Sequence, residues 1–489
     1  MAVRSIYLSA AHKSSGKTTV TVGLCAALRA RGLEVQPFKK GPDYIDPIWL
    51  GMAAGRDCHN LDFHTMSHTE IRELFARQSA LGEISLIEGN KGLYDGLDLK
   101  GGNSNAALAQ LLNTPVVLII DTRGMTRGVV PLLLGYLGFE PKVEIAGVLL
   151  NHVGGVRHEE KLRAAIEYYT DLPVLGAIPH DTTIQVPERH LGLVPGNEFA
   201  DPHGFIASAA KTMETHVDLA RLLTIAGPAP ARSAKMPVDH RAKRATNNRV
   251  VEKETDAGGS DDSPPRIKIA IARDSAFGFY YPGDFTALRR AGAELLFFDT
   301  LSDTALPPAH ALFIGGGFPE VHMDALEANV DLRRSIRAAL EDGMPAYAEC
   351  GGLMYLTRGI SWRGKRCEMV GVIPGETIMH ERPQGKGYVL LQETGRLPWG
   401  LSGPGSGKQA GEQAARVKAH EFHHAGICLS ARGKGVRYAY QVLRGHGLDG
   451  QHDGIIHGNL LAGFSHLRDV EENHWAARFV EYACAHQGR

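Results

Sequence analysis

Two α/β domains joined by a polar linker are predicted by three observations. Short β-branched runs alternate with helical patterns in both halves of the 489-residue chain, a Gly-Lys-Thr loop separates the first strand from the first helix, and apolar periodicity lapses from Gly227 to Pro265. Strand then helix, repeated, implies a parallel sheet covered on both faces. Residues 1–226, 227–265 and 266–489 are therefore expected to form an α/β domain, a flexible linker and a second α/β domain.

In chain order, Ser5 to Leu8, Val35 to Phe38, Ile84 to Ile87, Val116 to Ile120, Ile145 to Leu150 and Val174 to Ile178 read as buried strands. The linker holds Pro, Gly, Ser and charge, and its basic patch from Arg241 to Arg249 is cancelled by the acids that follow. Beyond it the pattern restarts with strand Ile267 to Ala272, helix Phe285 to Ala291, and strands Glu294 to Phe298, Ala311 to Ile314 and Ala346 to Ala348. The Gly-rich stretch from Leu397 to Gln413 is expected to be a mobile surface loop.

Composition narrows the function classes. Lys plus Arg (53) against Asp plus Glu (54) leaves a net charge of −1, which gives no field to attract nucleic acid or an anionic membrane. Six cysteines without CxxC spacing argue against a disulfide frame and a zinc cluster. No run of about 18 apolar residues occurs, and the N-terminus lacks a signal peptide's apolar core, so a cytoplasmic protein is expected.

Immediately after the first strand comes AAHKSSGKTT, in which Gly16, Lys17, Thr18 and Thr19 open the first helix. In that context the loop's backbone N–H groups cradle phosphate oxygens, Lys17 neutralises the outer phosphates and the Thr18 hydroxyl ligates Mg²⁺, the arrangement of a P-loop. Ala11 stands where such a loop has its first glycine. Lys13 is either a second cation for a transferring phosphoryl group or simply exposed. Asp43 and Asp46 in FKKGPDYIDP, and Glu88 and Asp95 in LIEGNKGLYDG, follow strands and can converge on this loop as metal ligands; capping helices or pairing with Lys39 and Lys40 is the alternative.

In the second domain, PAYAECGGLMYL places Cys350 where a strand turns sharply into a helix, with Gly351 and Gly352 beside it. This is a nucleophile elbow bearing a thiol at a helix N-terminus, whose partial positive charge favours the thiolate. Gly316 and Gly317 in FIGGGFPE, with Gly351, can supply backbone N–H groups to an oxyanion. His466 in NLLAGFSHLRD is the expected base, and His420, His423 and His424 are its rivals.

Together these segments resemble the cobyrinic acid a,c-diamide synthase family. SSGKTT, FKKGPDYIDP, EGNKGLYDG, LLNHVGG, PERHLGLV, AFGFYYPGDF, GGGFPE, AECGGLMYL, HEFHHA and LLAGFSHL carry the resemblance in order across nearly the whole chain. The resemblance implies a dethiobiotin-synthetase-like P-loop domain linked to a class I glutamine amidotransferase domain. It also implies ATP and Mg²⁺ as cofactors, and glutamine and a tetrapyrrole carboxylate as substrates, with a homodimer as an open state of assembly. Cys350 then forms the glutamyl thioester and His466 activates it. Lys17, Thr18, Glu88 and Lys39 hold phosphates and metal, Asp46 and Asp95 act near an acyl phosphate, and Asn151 reads the purine. Arg468 stands where related amidotransferases carry a glutamate two residues after the histidine, so a Cys-His dyad is expected. Asn90 and Lys91 stand where the family more often has an apolar pair, and Ser104, Asn105 and Ala106 where it has Ser-Thr-Ala; polar side chains there would meet different peripheral carboxylates and point to siroheme or (nickel-)sirohydrochlorin as the alternative ring. A P-loop regulatory ATPase is the alternative from another class.

Overall fold

In the computed structural model, seven parallel strands form the first sheet, and the residues described are 3–181, 184, 186, 188–189, 192–229, 267–399, 415–430 and 436–486. These strands are β1 (Arg4–Ala10), β2 (Val35–Lys40), β3 (His59–Leu61), β4 (Ile84–Glu88), β5 (Val116–Asp121), β6 (Ile145–Val153) and β7 (Val174–Pro179), in spatial order β3-β2-β4-β1-β5-β6-β7. Central strands such as β4 and β5 are buried along their whole length, as a sheet covered on both faces requires. The sequence reading locates six of the seven and misses β3, whose three residues are too short for a periodic signal.

Helices α1 (Lys17–Ala30) and α2 (Ile45–Ala54) follow β1 and β2. Val20, Leu24 and Leu28 of α1, spaced by one helical turn, are buried in the core beneath the sheet. Asp43 Oδ1 accepts from the backbone N–H of Ile45 (3.0 Å) and Asp46 (3.2 Å), which satisfies the first turn of α2. Trp49 anchors that helix: its ring meets Phe199 and Phe205 at 5.4 and 5.0 Å, and its Nε1 donates to the Val194 carbonyl at 2.9 Å. Val194 closes the PERHLGLV segment, whose residues 187, 190 and 191 lie outside the described residues.

The chain divides into two units, Met1–Ser260 and Asp261–Arg489. Gly227 and Pro228 pair antiparallel with Ser5 and Arg4, so the first sheet uses two residues that the sequence reading assigned to the linker. The rest of that expected linker, from 230 to 265, lies outside the described residues, as does its basic patch.

The second unit centres on a nine-stranded mixed sheet. Its parallel half runs Ala293–Phe298, Ile267–Ala272, Ala311–Ile314, Ala346–Glu349 and Leu460–Gly463, and its antiparallel half His452–His457, Arg437–Arg444, Gly385–Glu393 and Arg416–His423. The sequence reading finds four of the parallel strands and none of the antiparallel ones. Those alternate buried and exposed positions, and residues such as Lys386 and Lys418 break the continuous apolar run that marks a parallel strand. The stretch expected as a surface loop begins in the core: Leu397 and Trp399 are buried, with Trp399 against Phe479 at 4.8 Å and Tyr347 at 5.3 Å. Residues 400–414 lie outside the described residues.

Trp49→Ala is expected to destabilise the first unit by about 3–5 kcal/mol, read as a lower denaturant midpoint, because a fully buried indole is removed without replacement.

Candidate active sites

In the first unit the chemistry lies at the C-terminal ends of β1, β2 and β4. Parallel register makes Lys39 of β2 and Glu88 of β4 direct neighbours, and Leu8 of β1 flanks Glu88 on the other side. Lys39 Nζ donates to Glu88 Oε1 at 2.6 Å and to Asp46 Oδ2, with Asp43 at 3.8 Å. The Thr18 hydroxyl also donates to Glu88 Oε1, at 3.0 Å. Burial disfavours the Lys39 charge, but Asp46, Glu88 and Asp43 outweigh it and hold the ammonium well above its usual range. Burial likewise raises both acids, yet Lys39 pulls Asp46 below its ordinary value while Glu88 is left pushed up to about 7. Glu88 Oε2 is buried with no hydrogen-bond partner among the described residues. Such an acceptor, beside a threonine hydroxyl and a second carboxylate, suits a hard cation that also takes phosphate oxygens.

The loop itself is tightly defined. Gly16 has φ 80°, and a Cβ there would lie 2.3 Å from Asn151 Nδ2. Asn151 is buried at the end of β6 and donates to the Ser15 carbonyl at 2.9 Å, so its amide braces the loop. Lys17 Nζ donates to the His12 carbonyl at 3.3 Å. Burial and the neighbouring Lys39 push its pKa down to about 8, with Glu88, Asp46 and Asp95 opposing. Thr19 is half-buried on the first turn of α1, and Lys13 is exposed. Asp95 is exposed too, with Oδ2 accepting from the Gly92 N–H at 2.9 Å.

The polar departure at position 105 and the serine before it each have a structural reason. Asn105 is fully buried: its Oδ1 accepts from Tyr7 Oη (3.0 Å) and the Asn90 N–H (3.1 Å), and its Nδ2 donates to the carbonyls of Asn90 and Gly92 (2.7 Å to the latter). Ser104 caps the helix Asn105–Leu112 by accepting from Ala107 N at 3.0 Å. The expectation that these two side chains meet the acceptor is corrected: Asn105 braces the loop that carries Asp95, and Ser104 caps the helix that follows it. Asn90 accepts from Lys40 Nζ at 3.2 Å, and Lys91 is exposed.

In the second unit Cys350 ends the strand Ala346–Glu349 at φ 47° and opens the helix Gly351–Leu356. This is the strained turn of a nucleophile elbow, fixed by a 2.7 Å bond from Cys350 N to the Gly463 carbonyl. Leu460–Gly463 pairs parallel with that strand, so His466, three residues past Gly463, comes beside Cys350. Burial pushes the His466 ring toward its neutral form, but hydrogen bonds with the Cys350 thiol and the Glu349 carboxylate outweigh this and lift its pKa to about 10.

Two of the rival histidines are engaged elsewhere, and the third packs on His466. His423 Nδ1 meets the Ala425 carbonyl at 2.7 Å and His424 Nδ1 the His380 carbonyl at 3.1 Å. His420 stacks on His466 with ring centres 4.9 Å apart, and its Nδ1 lies 3.3 Å from Tyr281 Oη. Gly316 and Gly317 pair with Phe279 and Phe277; a Cβ on Gly316 would lie 2.6 Å from His466 Cε1, and one on Gly351 2.9 Å from Gly317 N. Gly316 thus borders the imidazole, and Gly351, next to the thiol, borders Gly317.

Sequence reasoning missed Glu349. Its Oε2 lies 3.2 Å from His466 Nδ1 in a buried pocket, so a carboxylate does face the imidazole, supplied by the residue before the nucleophile and not by position 468. Arg468 lies over the Tyr281 ring at 4.9 Å. No spacing rule marks Glu349, because its partner is 117 residues away.

A P-loop domain fused to a thiol-elbow domain defines the chain as a nucleotide-dependent glutamine amidotransferase. Residues 10–194 match the CobQ/CobB/MinD/ParA nucleotide binding domain, and residues 268–473 the CobB/CobQ-like glutamine amidotransferase domain. The chain is 44% identical to the cobyrinate a,c-diamide synthase of Magnetococcus marinus, covering 97% of this chain and 96% of that one. Identity to the enzyme of the same name is 39% in Methanosarcina acetivorans (98% and 95% covered) and 36% in Archaeoglobus fulgidus (99% and 98%). The chain belongs to the cobyrinate a,c-diamide synthase family.

Gly316→Ala is expected to slow glutamine hydrolysis at least about tenfold, measured as glutamate release, while leaving ammonia-supported turnover intact, because its Cβ displaces the His466 ring.

Proposed function

We propose that this chain is an ATP- and glutamine-dependent ligase that converts the a and c acetate carboxylates of cobyrinate to primary amides. The observation that carries this reading is the presence, in one chain, of the Cys350–His466 elbow and the Lys17–Lys39–Glu88–Asp46 phosphate cluster. Either alone would serve a glutaminase or an ATPase. Glutamine-dependent amidation needs both, and the relatives matched over nearly their whole length bear the cobyrinate name.

In the second unit, Cys350 Sγ attacks the carboxamide carbon of glutamine while His466 carries the proton between them. Backbone N–H groups of Gly316, Gly317 and Gly351 surround the oxygen on which charge develops. The C–N bond breaks, the proton leaves with ammonia, and water releases glutamate from the thioester. In the first unit, the loop around Gly16, Lys17, Thr18 and Thr19 binds the phosphates of ATP, and the acceptor carboxylate takes the γ-phosphoryl group. Ammonia displaces phosphate from the resulting acyl phosphate. Thr18, Glu88 and Asp46 would hold Mg²⁺, which supplies charge neutralisation during phosphoryl transfer. Lys39 fixes Asp46 and Glu88, and Asp95 stands on the loop after β4, near enough to act on the field at Lys17. Asn151 holds the loop's shape, which brings it close to the bound nucleotide.

Cobyrinate is preferred over a sirohydrochlorin-type ring because Asn105, one of the departures that favoured the latter, is turned to structural work. All six cysteines are free thiols, which suits the reducing cytoplasm. The direct test offers cobyrinic acid, sirohydrochlorin, its nickel form and siroheme in parallel with ATP, Mg²⁺ and glutamine. Two successive losses of about one dalton on cobyrinic acid support the reading, and a shift on another ring alone overturns the choice of acceptor.

Cys350→Ala is expected to abolish glutamine-supported amidation and retain the reaction with high ammonia, followed by product mass. Asp46→Asn should reduce ligation at least about tenfold more than glutamine hydrolysis, since it disturbs only the phosphate cluster.

A further inference from the structure

We infer that Glu349 is the positioning residue that sets the orientation and tautomer of His466, replacing from the strand before the nucleophile the carboxylate that position 468 lacks. The inference rests on the proposed glutamine-hydrolysing role of the second unit and goes beyond it.

The His466 ring is confined on its face and its edge. His420 stacks on it with an interplanar angle of 20°, and the backbone of Gly316 leaves no room for a methyl group at Cε1. Stacking fixes a ring plane but not which way round the imidazole sits in it, since the terminal torsion of histidine is broad and roughly two-fold. Only a group that distinguishes Nδ1 from the opposite edge can decide. Glu349 Oε2, 3.2 Å from Nδ1, is such a group: a carboxylate accepts only, so the ring must place its proton on Nδ1 and turn Nε2 toward the thiol.

The carboxylate cannot swing away. Its Oε1 accepts from the Leu467 N–H at 2.8 Å and from the Tyr347 hydroxyl. Tyr347 is in turn packed on Phe313 (5.3 Å, nearly parallel) and Trp475 (4.9 Å) in the core. One oxygen is anchored and the other aimed. In the chemical step Nε2 holds the proton between His466 and Cys350 as the S–C bond forms, and gives it to the departing ammonia as the C–N bond breaks. Glu349 Oε2 accepts from Nδ1 throughout and steadies the imidazolium.

The same anchoring makes a glutamine substitution informative. In E349Q the amide oxygen is drawn to the Leu467 N–H and the Tyr347 hydroxyl, which leaves the amide NH₂ against Nδ1. That nitrogen must then accept, the proton moves to Nε2, and the ring can no longer take the thiol proton. E349A removes the carboxylate without imposing a donor. E349Q should therefore lower kcat for glutamate release about 100-fold with KM for glutamine within about threefold. E349A should be the more active of the two, and both should keep ammonia-supported ligation and the parent's melting temperature to within a few degrees.

A residue that merely fills the pocket predicts the opposite order, with alanine worse than glutamine, and that result would overturn the inference. So would parental kcat in E349Q. Iodoacetamide modification of Cys350, followed by peptide mass mapping, provides a readout independent of glutamine: it should slow in E349Q relative to the parent, and equal rates contradict the proposal. If the parent itself releases no glutamate, the amidotransferase reading fails, while the modification rates still decide the role of Glu349.

Discussion

Register between adjacent parallel strands is the constraint on which both sites depend. In the first unit it sets Lys39 opposite Glu88, and in the second it sets Glu349 opposite Gly463. A parallel ladder delivers the C-terminal ends of its strands to one rim, so residues far apart in sequence arrive there as neighbours. A slip of one residue in either pair would turn the functional side chain to the other face of the sheet. The buried flanks of these strands, among them Leu86, Ile87, Ala346 and Ala348, hold that register through their packing. Core packing and catalytic geometry are therefore the same requirement at these four strands.

The two rims use buried charge differently. Around Lys39, three carboxylates and one ammonium leave Glu88 and Asp43 both pushed up to about 7 by burial, and Asp46 held below its ordinary value. Breaking such a buried cluster is costly, because each remaining charge loses its partner in a poorly solvated place. That expense is acceptable where the function is to receive a polyphosphate and a cation. Around Cys350 the charges are fewer: an imidazole sits between a thiol and a carboxylate, and backbone groups and aromatic rings do the rest of the positioning. The difference follows from the chemistry each rim is built for, since phosphoryl transfer is governed by charge neutralisation and thiol attack by the placing of one proton.

What the sequence made legible follows the same division. Strands buried on both faces announce themselves as continuous apolar runs, so β1, β2 and β4 to β7 could be read directly, and with them the Gly16-Lys17-Thr18 loop that begins where β1 ends. Cys350 was legible because an elbow concentrates its signal in a few consecutive residues. The antiparallel half of the second sheet was hidden, since its exposed face carries Lys386 and Lys418. Asn105 was visible as a departure but misread. Polarity near a site suggests contact with a substrate, whereas a fully buried asparagine with four hydrogen bonds is a brace for a loop that has no ladder of its own.

Glu349 shows why pair geometry escapes a reading by motif. A search for a carboxylate at a fixed offset from the histidine assumes that it arrives on the same stretch of chain as its partner, but an imidazole needs only an acceptor at Nδ1, from whichever strand can supply one. Because the strand ending at Glu349 and the strand ending at Gly463 lie side by side in parallel, the residue before the nucleophile and the histidine three positions beyond Gly463 meet at the same rim. The backbone that places the thiol thereby also places the group that orients its base. Arg468, at the offset where the acid was sought, lies over the Tyr281 ring, so that position supports a neighbouring wall of the site without entering the proton path.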